Sequence, residues 1–170
     1  MIFRNSKVED LEYILNILEE AKIFLKNNGV DQWQNGYPNK EVILSDIKNN
    51  ESYVLEYENK IIGTTVLSFR GENTYNKIYE GKWITEKENY GVIHRIAIKK
   101  DYSIKNIGMS IMKYIEEKCI DNNVHNIKID THKDNKHMQN LLKKLNYKYC
   151  GIIYLEDGNE RIAFEKVLNK

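Results

Sequence analysis

Residues 127–147 read IKIDTHKDNKHMQNLLKKLNY, and this run decides the fold class. Ile127 and Ile129 bracket Lys128, and the flanking residues predict a strand over 126–131. Asp130, Thr131, His132, Asp134 and Asn135 then crowd polar groups into a junction. From Asn135 the apolar positions Met138, Leu141, Leu142 and Leu145 fall at helical spacing, predicting a helix over 135–145. In α/β arrangements with parallel strands, the edge where a strand hands over to a helix is where ligands bind.

Working outward, strands are predicted over 147–154 and 161–167, joined by a turn at Asp157–Gly158. Upstream lie a strand over 90–98, a polar loop and a helix over 107–122 with Ile107, Ile111, Met112 and Ile115 on its apolar face. The crossover from 90 to 131 is expected to be right-handed and parallel. Near the start, residues 2–4 suggest a short strand. Ser6 with Glu9 three residues later suggests a capping box. Leu11, Ile14, Leu15, Ile17, Leu18, Ala21 and Leu25 continue it as a helix that stops at Gly29. Residues 30–39, VDQWQNGYPN, are turn formers and aromatics and predict a loop. Asn39 caps a helix over 40–48, and strands follow over 52–56 and 61–69. Residues 71–88 fit neither period.

The order β-α-α-β-β-β-α-β-α-β-β predicts an α/β (α+β) fold. A mixed, mostly antiparallel central sheet carries helices on both faces, in one domain over 1–170. The 170 residues suit one core. A net charge of +1 supplies no global field for nucleic acid. No apolar run approaches about 18 residues, and the N-terminus has no signal-peptide core, so no membrane partner and a cytoplasmic location are expected. Cys119 and Cys150 read as buried thiols, and no spacing suggests a metal site.

Residues 91–115, GVIHRIAIKKDYSIKNIGMSIMKYI, form a strand, a polar loop and a helix start. A helix N-terminus after a loop offers free backbone N–H groups and the positive dipole end to phosphate. Lys99, Lys100 and Lys105 add positive charge, and Gly108 allows close backbone approach. By itself this pattern also describes an ordinary solvated helix entrance.

The two segments together resemble the GNAT superfamily of N-acetyltransferases, which move acetyl from acetyl-CoA to amines. In the resemblance, 91–115 is the acetyl-CoA block. The matching positions are Ser103, Asn106 and Gly108, of which Gly108 alone keeps the family residue. The implied acetyl-CoA contacts are Ile96, Ala97 and Ile98 on the strand; Ser103, Ile104, Lys105, Asn106, Ile107, Gly108 and Met109 around the loop; and His132 and Asn135 in the later block. Backbone groups bind the pyrophosphate in this family. Asn accepts the positive φ that the usual Gly provides better than most residues. A bulge in the strand over 90–98 is implied, aiming an N–H at the thioester carbonyl.

His94 is the expected catalytic base, because an ammonium must lose a proton before it attacks. A histidine satisfied within the sheet is the plain alternative. Unless a bulge intervenes, alternation places His94 with Ile96 and Ile98 and sends Arg95 to the opposite face. His132 shares a strand face with Asp130. His125 and His137 read as surface residues. Leu142 occupies the position where family enzymes often carry a tyrosine acid, leaving Tyr154 as a weak stand-in. Trp33 and Tyr37, from the loop over 30–39, are expected to line the acceptor site. The expected partner is a small-molecule amine or a peptide amine, and a homodimer is allowed. The alternative reading is a catalytically inactive acyl-CoA-binding protein of the same fold.

Overall fold

The computed structural model describes residues 1–100 and 104–168. Its strands are β1 (Ile2–Asn5), β2 (Ser52–Tyr57), β3 (Lys60–Ser68), β4 (Gly91–Ile98), β5 (Asn126–Thr131), β6 (Lys148–Tyr154) and β7 (Glu160–Val167). Its helices are α1 (Leu11–Asn27), α2 (Lys40–Lys48), α3 (Ile107–Asp121) and α4 (Lys136–Lys144). Backbone hydrogen bonds order the strands β1-β2-β3-β4-β5-β7-β6, a seven-stranded mixed sheet. The β4–β5 pair is parallel, whereas β1–β2, β2–β3, β5–β7 and β6–β7 are antiparallel. Backbone contacts group into two compact units, Met1–Leu67 with His94–Tyr114, and Ser68–Ile93 with Ile115–Lys170.

In the first unit, Leu11, Ile14, Ile17 and Leu18 of α1 and Ile43 and Ile47 of α2 close over Val54 and Ala97. Burying side chains of that size contributes roughly 1.5–3 kcal/mol each. The register pairs Leu55 with Gly63 and Val54 with Thr64, so Gly63 faces away from the Val54 side. A Cβ on Gly63 would lie 2.6 Å from Cδ1 of Ile111, so α3 packs on that other side. Helices therefore cover both faces of this part of the sheet. The β2–β3 turn carries Glu58 and Asn59 at φ 49° and 60°, the left-handed pair of a two-residue hairpin turn.

The expected capping box at Ser6 is corrected. Ser6 is buried and its Oγ meets Ser52 Oγ at 2.8 Å. The carboxylate that serves this helix start is Asp10, which accepts Lys7 N–H at 2.7 Å. Arg4 clamps the same carboxylate at 2.7 and 3.0 Å, holding it below the usual carboxylate range. A partner 46 residues away outcompetes the local cap because a buried hydroxyl must be hydrogen-bonded. Asn39 does cap α2, accepting Val42 N–H at 3.0 Å.

In the second unit, residues 71–88 form one 3₁₀ turn, Asn73–Tyr75, and otherwise irregular chain. Alternation puts Asn126, Lys128 and Asp130 on one face of β5, and each meets this irregular stretch. Asn126 donates to Glu88 at 2.7 Å, Lys128 to the Thr85 carbonyl at 3.2 Å, and Asp130 accepts from Tyr75 at 2.7 Å. Lys128 Nζ also lies 4.6 Å from the centroid of Trp83 and 4.2 Å from that of Tyr90. Glu165, opposite Lys128 in the register, accepts Ile84 N–H at 2.6 Å and the Thr85 hydroxyl. Tyr75, Trp83, Val92, Cys150, Ile153 and Ala163 make the apolar core beneath.

Candidate active site

The first unit holds a break in β4. Arg95 has φ 51°, the left-handed region that side chains other than glycine seldom adopt inside a strand. Hydrogen bonds to β3 flank it: the Thr65 side-chain hydroxyl donates to the His94 carbonyl at 3.4 Å, and Lys99 N–H donates to the Ile62 carbonyl at 2.9 Å. The partners run from Thr65 down to Ile62 on β3 as they run from His94 up to Lys99 on β4, so the two strands are antiparallel.

Arg95 and Ala97, two residues apart, both meet the α1–α2 side, the shared face that alternation gives them. Arg95 Nε and Nη2 hold Asp46 at 2.8 and 2.7 Å, and Nη1 donates to the Tyr37 hydroxyl. His94 acts on the same Asp46 carboxylate by charge. Burial pushes the Asp46 carboxyl up, and Arg95 pulls it partly back. Asp46 is the residue that sequence reasoning missed. Its signal is a carboxylate beside Ile43 and Ile47 on the buried side of α2.

The other predicted positions fall as follows. His94 and Ile96 are half-buried, Ala97 is buried in the α1–α2 core, and Ile98 is exposed. Ile104 is half-buried and Lys105 exposed. Ser103 lies outside the described residues. Asn106 has φ 66° and sits directly before α3, so it adopts the conformation that glycine would otherwise supply. Ile107, Gly108 and Met109 form the first turn of α3, where backbone N–H groups have no acceptor inside the helix. This first turn could hold the pyrophosphate of a coenzyme A thioester, for which backbone donors and the helix dipole would supply the binding.

Trp33 and Tyr37 are placed differently from each other. Trp33 has φ 63°, packs on the α1–α2 core and lines a groove of about 320 Å³ with Glu19, Lys22, Ile23 and Gln34. Tyr37 is 37% exposed, with the Arg95 guanidinium carbon 5.9 Å from its ring centroid.

In the second unit, Asn135 caps α4 and accepts Met138 N–H at 3.1 Å. His132 Nδ1 accepts Asp134 N–H at 3.1 Å, the junction role, while Asp130 holds Tyr75. His137 is exposed and His125 is half-buried, with its Nε2 3.3 Å from the Asn123 amide oxygen. Leu142 is fully buried, and Tyr154 stacks edge-on against Tyr79 at 5.2 Å.

A broken β strand followed by a helix start that presents backbone N–H groups is the framework that the resemblance to the acyl-CoA-using acetyltransferases implies. Residues 12–147 match the acetyltransferase (GNAT) family, and the chain belongs to it. It is 24% identical over 119 residues to S-alkylcysteine N-acetyltransferase of Bacillus subtilis (strain 168). That alignment covers 70% of this chain and 61% of that relative's length. A GNAT-family acetyltransferase structure from Streptococcus agalactiae 2603 is 30% identical with a TM-score of 0.91, covering 99% of this chain and 96% of that one. A Clostridium acetobutylicum structure with acetyl-CoA shares the fold at 15% identity and a TM-score of 0.60, covering 86% and 89% of the two chains. Among the described residues no helix is long and apolar enough to cross a membrane, and no metal-binding cluster of His, Cys, Asp or Glu occurs.

Proposed function

We propose that this protein transfers acetyl from acetyl-CoA to a primary amine, carried by a small molecule or a peptide, by direct attack in a ternary complex. The observation that carries the reading is the left-handed residue at Arg95, which breaks β4 just before Ile96–Ile98 in a chain of this family. A break there reorients the backbone N–H groups of the strand, and such donors stabilise the oxyanion of a tetrahedral intermediate. The first turn of α3, with Lys105 beside it, holds the pyrophosphate, and Asn106 supplies the backbone turn at the family's glycine position. His94, half-buried beside the break, takes the ammonium proton. Trp33 and Tyr37 line the acceptor side. The departing thiolate needs no dedicated acid, because a thiol titrates near about 8.5 and its anion is a fair leaving group at neutral pH. No observation favours a coenzyme A-binding protein without turnover. The relative that acts on an S-alkylcysteine makes amino-acid-like amines the first acceptors to try.

The test is calorimetric titration with acetyl-CoA and with CoA, followed by an amine panel read by thiol release. Micromolar binding of both and turnover with one amine class is the expected result. Failure of both ligands to bind removes the reading. In the active system, His94→Ala should lower kcat by about 10²–10⁴ and abolish the fall in rate on the acid side of the pH profile. An unchanged kcat across pH would exclude His94 as the base.

A further inference from the structure

Asp46 and Arg95 are 49 residues apart in sequence, yet they form a bidentate pair with both side chains nearly out of solvent, at 8% and 11% exposure. A buried ion pair is weak evidence for net stability, since an apolar pair of similar volume is often as good. What a two-point guanidinium–carboxylate fork does well is to fix geometry. The geometry at this residue is unusual. Arg95 is left-handed inside a strand, a conformation that its own side chain disfavours and that only the surroundings can hold. Asp46 projects from α2, which Ile43 and Ile47 anchor to the core that also holds Ala97, two residues beyond Arg95. The carboxylate is thus a fixed point facing the break, and Tyr37 takes the remaining guanidinium edge.

We infer that Asp46 is a positioning residue: its grip on Arg95 holds the left-handed break in β4 that aims the strand's N–H groups at the reacting carbonyl. This rests on the acetyl-transfer reading above. The pair then acts through the backbone of Arg95, and neither charge needs to touch substrate. It follows that glycine, which adopts positive φ freely, should replace the whole device.

The test compares two charge-free double variants, D46A/R95G and D46A/R95A. Both lack the ion pair and both leave His94 beside the same alanine, so they differ in the freedom of residue 95 to stay left-handed. A misaimed oxyanion donor costs about 10²-fold in rate. D46A/R95G should therefore exceed D46A/R95A in kcat by about that factor, with equal acetyl-CoA affinity by calorimetry. It should also melt about 2–4 °C higher, the shift expected for one unfavourable backbone conformation in a chain of this size. The backbone coupling constant at residue 95, read by NMR, should report positive φ in the wild type and in the glycine variant. Equal kcat and equal melting in the two variants, with an active wild type, would overturn the inference alone. A wild type that acetylates no amine would remove the acetyl-transfer reading and the catalytic role with it. The coupling constant at residue 95 in D46A alone, with positive φ expected to be lost and its retention overturning the inference, would still show whether the pair holds the break.

Discussion

Gly81 meets the backbone of β6 so closely that a single methyl group should unseat the chain around it. An alanine Cβ at that position would stand 2.0 Å from the Cys150 carbonyl oxygen and 2.9 Å from the Cys150 carbonyl carbon. Side-chain rotation cannot relieve this contact, because the obstacles are main-chain atoms. Restoring even a 3.0 Å separation requires the two segments to part by about 1 Å. Two residues away, Tyr79 and Ile152 exchange backbone hydrogen bonds of 2.8 Å in each direction. Lengthened by that amount, both exceed hydrogen-bonding distance. Their loss costs roughly 1–3 kcal/mol, and loosening the Tyr79–Tyr154 edge contact adds roughly 0.5–1. Gly81→Ala should therefore cost about 2–4 kcal/mol and lower Tm by about 5–15 °C. The control is Gly158→Ala, at φ 83° with open space around it, which carries backbone strain alone and should cost about 1 kcal/mol. The assay is urea unfolding of both variants by circular dichroism, with amide exchange at Tyr79 and Ile152 as the local readout. If Gly81→Ala proves no more costly than Gly158→Ala, or if those two amides keep their protection, the steric argument is wrong.

Two further predictions rest on ionisable groups. Arg4 holds the Asp10 carboxyl below its ordinary value, so the folded state favours the ionised form. The resulting stabilisation is fully present above the unfolded value of about 3.9 and is lost as pH falls through the depressed folded value. Asp10→Asn should cost roughly 1–3 kcal/mol at pH 7 and flatten the decline of stability below about pH 4. A variant with unchanged acid sensitivity would show that other carboxylates control it. Burial pushes the thiols of Cys119 and Cys150 up to about 12 and about 11. At pH 8 roughly one in a thousand or fewer is thiolate, so neither should react with an aromatic disulfide reagent before unfolding. Rapid labelling of either in the native state would contradict this placement.

The parts of the fold that were legible in the sequence are those held by contacts within a few residues. The strand over 126–131 and the helix over 40–48 with its Asn39 cap fall where periodicity and capping place them. Asn106 before α3 is likewise a local statement, since its amide side chain tolerates the left-handed turn without outside help. Residues 71–88 resisted assignment for the opposite reason. Their path follows side chains at 126, 128 and 130, which lie 38 to 55 residues away along the chain. Ser6 is legible as a cap by itself, and only the fold brings Ser52 to it.

By itself the sequence determined the order of strands and helices, the two segments that resemble the acetyltransferases, and the histidine on the strand before the helix. The resemblance implied a bulge in the strand over 90–98, and tertiary structure alone decided that the break falls at Arg95 and that Asp46 faces it. An arginine has no local preference for positive φ, so nothing near residue 95 announces the conformation. The carboxylate that grips its side chain stands on α2, and it arrives only when α2 packs its isoleucines against the sheet.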